Sequence, residues 1–139
     1  MGVSKKKLES GSTYINPGYC PERGEIMMKI TEVARVVSGS NPHHVDARKI
    51  YDTDNAIAVV ITLQPGESLK KHITPVDVFF YVLEGTGIVE IGSERAEVRK
   101  DHLVESPARI PHRWINESTA VFRVLVVKVP KPKEETKLL

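Results

Sequence analysis

Two histidines, His72 and His112, lie in short segments whose alternating side chains are typical of β-strands. Imidazole binds transition metals such as Zn, Ni, Fe or Mn, and it exchanges protons near neutral pH. Because residues two apart on a strand share a face, Lys70, His72 and Thr74 are predicted to point to one side. By the same rule, His112 and Trp114 share a face of their own strand. A metal site requires ligands that converge from separate strands, so the chemistry of this pair depends on how the chain folds.

The segments around both histidines belong to a long run of strand-like sequence. Turn signals such as "QPGE", "EGTG" and "NEST" separate short runs rich in Val, Ile, Phe and Tyr. Many short strands at close spacing predict an all-β sandwich or barrel. Upstream, "KITEVARVV" fits either a short helix or an early strand. The predicted strands are, in chain order, "VDARKIY", "AIAVVITL", "SLKKHI", "DVFFYVL", "GIVEIG", "RAEVRK", "HLVES", "HRWIN" and "AVFRVLVVKV".

The length and composition of the chain favour a single domain. It has 139 residues, of which 40% are hydrophobic and 27% charged, and this is enough for one core but short for two. We expect the barrel to span residues 28–130 and a charged C-terminal tail to span 131–139. Residues 1–27, rich in Gly, Ser and Pro, are expected to form a flexible N-terminal extension. Met27 and Met28 are alternative start positions, so one interpretation is that this extension is not native.

The charge distribution argues against several classes of partner. The formal net charge is +2, and lysines concentrate near the two ends, so binding to nucleic acid or to a membrane surface is not expected. The single cysteine, Cys20, cannot form an internal disulfide, and no secretory signal is evident, so we expect a cytoplasmic protein. A low content of Gln and Asn beside abundant Lys and Glu is typical of heat-adapted proteins.

Two longer segments resemble the two sequence motifs of the cupin family. The first, "GESLKKHITPVDVFFYVLEGTG" at residues 66–87, is similar to G-x5-H-x-H-x3-E-x6-G. The second, "DHLVESPARIPHRWIN" at residues 101–116, is similar to G-x5-P-x-G-x2-H-x3-N, with Asp101 and Arg109 where glycines are usual. The resemblance covers residues 45–129 and implies an antiparallel jelly-roll β-barrel. Six positions match in register: Gly66, His72, Gly85, Pro107, His112 and Asn116.

The resemblance also implies a divalent transition metal (Zn, Ni, Mn or Fe) bound in the barrel by His72 and His112. The family's second histidine and its glutamate are replaced here by Thr74 and Val78. Catalytic zinc sites keep about three protein ligands, so a third ligand would have to come from elsewhere. Asp77 and the hydroxyl of Thr74 are the candidates nearest to the motif. Three further histidines lie outside the motifs: His43, His44 and His102.

Two interpretations of the function follow from this incomplete ligand set. The first is a metal-dependent cupin enzyme, such as an isomerase, hydrolase or oxygenase, that acts on a polar small molecule. The alternative is a metal-free barrel that binds or senses a small ligand, in which the two histidines are simply hydrogen-bonded to their surroundings. In either case Lys70 and Arg109 are placed to steer an anionic ligand. The predicted pocket residues are Lys70, Thr74, Val78, Phe80, Arg109 and Trp114.

Two strand segments, "AVVITL" and "VFRVLVV", are apolar on both faces. In a barrel wall this pattern predicts that the outside is covered as well as the inside. A second copy of the chain would cover it, and small cupins commonly pair in this way. We therefore expect a homodimer.

Overall fold

The computed structural model describes residues 13–14 and 27–139. These fall in two compact units, one that ends at Val37 and one that spans Ser38–Leu139. In the first unit, β1 (Thr13–Tyr14) pairs with β2 (Ile30–Thr31), and a short 3-10 helix follows at Val33–Arg35. The segment "KITEVARVV" thus contains both of the elements considered for it. The expected flexible extension lies largely outside the described residues.

The second unit is built from ten strands, and it contains all nine strands predicted for the barrel. One of them, "SLKKHI", is shorter than predicted, because the backbone N–H of Leu69 donates to the Trp114 carbonyl and leaves only His72–Ile73 in regular pairing. The strands are β3 (Asp46–Asp52), β4 (Ile57–Leu63), β5 (His72–Ile73), β6 (Asp77–Glu84), β7 (Thr86–Ile91), β8 (Glu94–Arg99), β9 (Leu103–Ser106), β10 (His112–Ile115), β11 (Phe122–Val129) and β12 (Lys137–Leu138).

These strands form two five-stranded sheets. One sheet has the order β12-β5-β10-β7-β8, and the other has the order β3-β4-β11-β6-β9. Every pairing within them is antiparallel. The arrangement confirms the predicted all-β antiparallel jelly-roll. Within the described part of the chain, no helix is long and apolar enough to cross a membrane.

The core lies between the inner faces of the two sheets. On β6, Val78, Phe80 and Val82 are buried at alternate positions, as the period-2 geometry of a strand requires. The strand β11 repeats the alternation from Phe122 onward. Trp114 of the opposite sheet packs against Phe80 and Phe122, with ring centroids 5.2 Å from each. This aromatic cluster fills one part of the barrel and leaves the remainder to smaller side chains.

The C-terminal segment adds an edge strand that the sequence analysis did not predict. After β11 the chain returns to the first sheet, where Lys137 pairs with Ile73 and Leu138 with His72. The backbone N–H of Leu139 donates to the carbonyl of Lys71 at 3.0 Å, an ordinary length for such a bond. The sequence of this segment has no strand period, and its pairing depends on the unpaired edge that β5 presents.

The turn between β6 and β7 depends on a glycine. Gly85 has a φ of +81°, and a Cβ at this position would overlap the carbonyl oxygen of Val121. Gly66 has a similar φ of +86°, but no atom lies within 4 Å of its hypothetical Cβ. The two glycines therefore share the left-handed backbone and differ in the space around it.

We expect Gly85→Ala to lower the free energy of unfolding more than Gly66→Ala does. Both variants carry the left-handed strain of about 1–2 kcal/mol, while only Gly85→Ala adds a steric overlap, at a further cost of about 1–3 kcal/mol. Urea unfolding of the two variants beside the unaltered protein measures the difference. Equal losses would contradict a role for close packing at the β6–β7 turn.

Candidate functional site

A cavity of about 210 Å³ lies in the interior of the second unit. Both sheets, the loop before β3 and the C-terminal strand β12 contribute to its wall. Its lining is mostly apolar, with a small set of polar groups, and it contains no acidic side chain among the residues that line it. The polar residues are Asn41, His43, His72, Thr74, His112, Lys128 and Thr136, and the apolar ones are Pro42, Val59, Ile61, Leu69, Val78, Phe80, Val126 and Leu138.

The structure brings the two motif histidines together. His72 on β5 and His112 on β10 are directly opposite in the antiparallel pairing. Their side chains are 8% and 2% exposed. Their Nε2 atoms are 3.0 Å apart, and the rings meet edge to face at a centroid distance of 4.5 Å. The pair therefore forms a buried imidazole–imidazole hydrogen bond.

The partners of the two rings determine where the protons lie. A carbonyl oxygen only accepts, so Nδ1 of His72 donates to the Lys70 carbonyl at 2.7 Å. Nε2 of neutral His72 is then an acceptor, and Nε2 of His112 must donate to it. This leaves Nδ1 of His112 to accept from the hydroxyl of Ser106 at 2.7 Å. The result is a directed chain of hydrogen bonds from Ser106 through both histidines to a backbone carbonyl.

A third histidine, His43, lies in the same cavity although it is outside both motifs. Its ring centroid is 4.9 Å from that of His72, and its Nδ1 accepts from the backbone N–H of Lys70 at 2.9 Å. The Asn41 side chain holds this loop, because its Oδ1 accepts from His43 N–H at 3.1 Å and its Nδ2 donates to the Val45 carbonyl at 2.8 Å. In the sequence, the only sign of this arrangement is the turn cluster "SGSNPHH".

Lys128 is the second polar residue of the cavity that the sequence analysis missed. It lies on β11 two positions after the buried Val126, so it points into the barrel. Its Nζ donates to Thr136 Oγ1 at 3.3 Å. Burial lowers the pKa of its amine, because removing water penalises the charged form. The alternation of side chains in "VFRVLVVKV" puts Lys128 on the same face as Val126, and this pattern would have identified it.

One buried hydroxyl in the cavity has no partner. Thr74 is 1% exposed, and its Oγ1 makes no hydrogen bond within the described residues. Buried polar groups are almost always hydrogen-bonded in folded proteins. The oxygen has almost no accessible surface, so it marks an unmet hydrogen bond within the cavity wall rather than a contact point for a ligand.

The predicted pocket residues divide into two groups. Thr74, Val78 and Phe80 line the cavity. Lys70 contributes its backbone rather than its exposed side chain, since its N–H and carbonyl orient His43 and His72. Arg109 is exposed and pairs with Glu134 at 3.4 Å. Trp114 is fully buried in the aromatic core and does not line the cavity, because the cavity wall ends at Phe80, against which the indole packs.

Of the candidate third ligands, Thr74 lines the cavity, whereas Asp77 and His102 lie elsewhere. Asp77 Oδ1 accepts from the Ala108 backbone N–H at 2.8 Å, and Asp77 lines a separate shallow depression beside Pro107. His102 Nδ1 accepts from the Arg99 N–H at 3.1 Å, in the turn between β8 and β9. Of the residues that the structure describes, no three His, Cys, Asp or Glu side chains are grouped so that they could hold a metal ion.

The residues present do not fit a tightly bound divalent metal. The imidazoles of His72 and His112 supply fewer than the roughly three ligands of catalytic zinc sites, and the third ring of the cavity, His43, is not grouped with them into a metal-binding set within the described residues. The Nε2 atoms that would have to bind the ion are 3.0 Å apart, and they could bind it only if both were unprotonated. The amine of Lys128 faces the same cavity, and its positive charge would oppose a cation. The metal implied by the motif resemblance stays a prediction.

The histidines of the cavity are held in their neutral forms. Desolvation by burial lowers the pKa of His112 to about 3 and that of His43 to about 4, and it lowers the pKa of His72 as well. Repulsion from His72 and Lys128 adds to the effect on both His43 and His112. Neutral rings are the forms that the hydrogen-bond chain requires.

Comparison with known proteins identifies a matching family model and a relative in sequence. The cupin-domain family model Cupin_2 matches residues 59–128, about half of the chain. The uncharacterized protein MJ1618 of Methanocaldococcus jannaschii is 31% identical over 72 residues, or 51% of this chain. The matched region spans 57% of that relative's own length.

Two solved structures are similar over most of the barrel. The protein TT1209 from Thermus thermophilus is 29% identical with a TM-score of 0.64, and the match covers 74% of this chain and 98% of that one. An RmlC-like cupin family protein with a double-stranded β-helix fold, from Methanocaldococcus jannaschii, has a TM-score of 0.61 at 20% identity, covering 68% and 88%. At that identity the second likeness shows the fold alone.

The neutral histidines predict a pH-dependent stability. In the unfolded chain their pKa returns to about 6.5, so the unfolded state binds more protons than the folded state between about pH 6.5 and the lowered values. The free energy of unfolding should therefore fall as the pH is lowered from 6.5 toward 4, by up to about 1.4 kcal/mol per pH unit for each such histidine.

Urea unfolding at pH 7, 6, 5 and 4.5 measures this slope. His112→Gln, which cannot take up a proton, should show a shallower slope than the unaltered protein over the same range. His44→Gln, at an exposed position of the same loop as His43, is the matched control; its charge makes the smallest contribution to the lowered pKa of His43, so the slope should change less than in His112→Gln. Identical slopes in all three proteins would contradict a neutral His112.

Proposed function

Because the chain belongs to the Cupin_2 family of cupin domains and its described residues include no group of three metal-binding side chains, we propose that it binds a small organic molecule in the barrel without a tightly held metal. The observation that carries this proposal is this incomplete ligand set around His72 and His112. Their Nε2 atoms are 3.0 Å apart, a distance that suits a hydrogen bond in which one atom holds a proton and the other accepts it. A metal would require lone pairs on both.

The chemistry of the cavity supports this proposal. Small-molecule sites are concave, mostly apolar and furnished with a few placed polar groups. This cavity has Val59, Ile61 and Val126 on its wall, together with the polar side chains of His43 and Lys128. Its volume of about 210 Å³ is below the range of about 300–1,000 Å³ for drug-sized ligands, so the ligand would be small.

A metal-dependent cupin enzyme is the second candidate, and one observation favours it. The Nδ1–H of His72 donates to the Lys70 carbonyl, which is the outer-shell arrangement that orients metal-binding imidazoles. If Ser106 turned its hydroxyl to accept from His112 Nδ1, Nε2 of both rings would be free as ligands. Zn, Ni, Mn or Fe would then be held by two histidines, with an isomerase, hydrolase or oxygenase as the activity class.

Metal analysis separates the two candidates. We expect protein purified without an affinity tag to contain no stoichiometric Zn, Ni, Mn or Fe by elemental analysis. Its Tm should not respond to these ions, whereas a tight site at 100 times its Kd would add about 2.7 kcal/mol of stability. A stoichiometric ion that is present in the unaltered protein and absent from His112→Ala would contradict the metal-free proposal and favour the enzyme.

We further propose that two chains pair through the outer face of the sheet β3-β4-β11-β6-β9. Side chains alternate along a strand, so the positions between the buried residues of β6 and β11 face away from the core. These outward side chains are partly exposed and largely apolar, which is uncommon for a surface in contact with water. They are Phe79, Tyr81, Leu83, Leu125 and Val127.

Light scattering after gel filtration tests this pairing. The unaltered chain is expected to have the mass of a dimer, and Leu125→Glu should shift it toward the monomer because a carboxylate would be buried in the interface. Ala96→Glu, the same charge change on an exposed position of β8, should leave the mass unchanged. A monomeric unaltered protein would contradict the proposal.

A further inference from the structure

We propose that Lys128 binds the carboxylate of a small acid whose apolar body fills the remainder of the histidine cavity. This inference rests on the proposed ligand-binding function, because it assigns the class of molecule that the cavity takes. It concerns a residue outside both sequence motifs, on the strand β11. The surroundings of the amine, its charge and the shape of the space beside it support this assignment.

Lys128 lies on the cavity wall and, unlike the paired basic side chains of the described residues, has no carboxylate partner. Arg113 lies 2.7 Å from a Glu90 oxygen, and Lys131 lies 2.9 Å from an Asp52 oxygen. Lys128 makes no ion pair with a described carboxylate, and its one described partner is the hydroxyl of Thr136 at 3.3 Å. An ammonium group has three N–H donors, so two remain for a ligand.

A charge in this half-buried position is stabilised by a counter-ion. Burying an unpaired ammonium group is costly, and the group responds by losing affinity for its proton. Burial is the only cause of the lowered pKa of Lys128, with no neighbouring carboxylate to raise it. A bound monoanion would offset part of this penalty through its attraction to the ammonium group. One lysine matches one carboxylate in charge, whereas a phosphate monoester would leave excess negative charge inside the barrel.

The other polar groups of the cavity also match an acceptor-rich ligand. His43 accepts from Lys70 through Nδ1, so the proton of its neutral ring lies on Nε2 and is a donor. No aspartate or glutamate lines the cavity to repel an anion. Donors therefore outnumber acceptors on the wall, and the ligand is expected to supply the acceptors.

The apolar part of the wall defines the remainder of the ligand. Val59, Ile61 and Val126 on the second sheet face Leu138 of the edge strand β12 across the same cavity. Together with the volume of about 210 Å³, they favour a short aliphatic or monocyclic aromatic body. Benzoate and hexanoate have this form, and their amides benzamide and hexanamide are neutral molecules of almost the same shape.

Isothermal titration of these four probes at pH 7 tests the assignment. We expect each acid to bind the unaltered protein more tightly than its amide, on the order of 10- to 100-fold, as for hydrogen bonds to charged groups. Lys128→Met keeps the length of the apolar stem and removes the charge, so it should bring each acid to the level of its amide. Lys128→Gln, which keeps a neutral donor, is the second variant in case one of them does not fold.

The controls distinguish failure of this inference from failure of the proposed function. Lys100→Met removes a lysine from the exposed turn after β8 and should leave all four affinities unchanged. If acids and amides bind the unaltered protein equally well, or if the preference for acids survives in both Lys128 variants, the role of Lys128 is overturned while the cavity remains a ligand site. If neither acids nor amides bind at millimolar concentration, the proposed function fails together with it.

Discussion

A polar group that enters the interior of this barrel loses its contacts with water and must replace them. The cost of failing to do so is about 1–3 kcal/mol for a neutral group and more for a charged one. Asn116 shows a complete replacement. It is fully buried, its Nδ2 donates to the carbonyls of Leu63 and Ala120, and its Oδ1 accepts from Ser118. The connection between β10 and β11 is held in place by these bonds.

The need of buried polar groups for hydrogen-bond partners divides the cavity into two parts. In one part, Ser106, His112 and His72 satisfy each other in sequence and end on a backbone carbonyl. In the other part, Thr74 has an unpaired hydroxyl and Lys128 has an amine with a single weak partner. A ligand is favoured where a buried polar group lacks a hydrogen-bond partner. By supplying that partner, the ligand forms a hydrogen bond that the protein alone does not make. Lys128 is therefore a candidate ligand-binding residue as much as the histidines are.

Much of the fold could be predicted, because the alternation of a strand is a local property of the sequence. Val78, Phe80 and Val82 are buried at every second position, and the turn clusters lie where the strands end. The edge strand β12 could not be predicted in this way. Its residues have no alternation, and its place depends on the open edge of β5, which is distant in the sequence. The strand predicted at residues 68–73 is longer than the observed one for a similar reason. Hydrogen bonds to Trp114 and Leu139 replace regular pairing in this segment.

The sequence by itself determined the barrel, the side to which His72 and His112 point, and the absence of the usual ligands at Thr74 and Val78. The tertiary structure alone decided what surrounds the histidines. Side-chain parity tells which face a residue takes but not which strand, loop or tail lies opposite, since that depends on contacts between segments remote in the chain. For this reason Trp114, on the same face as His112, belongs to the aromatic core. Likewise His43, Lys128 and Thr136 meet in one cavity although no motif connects them.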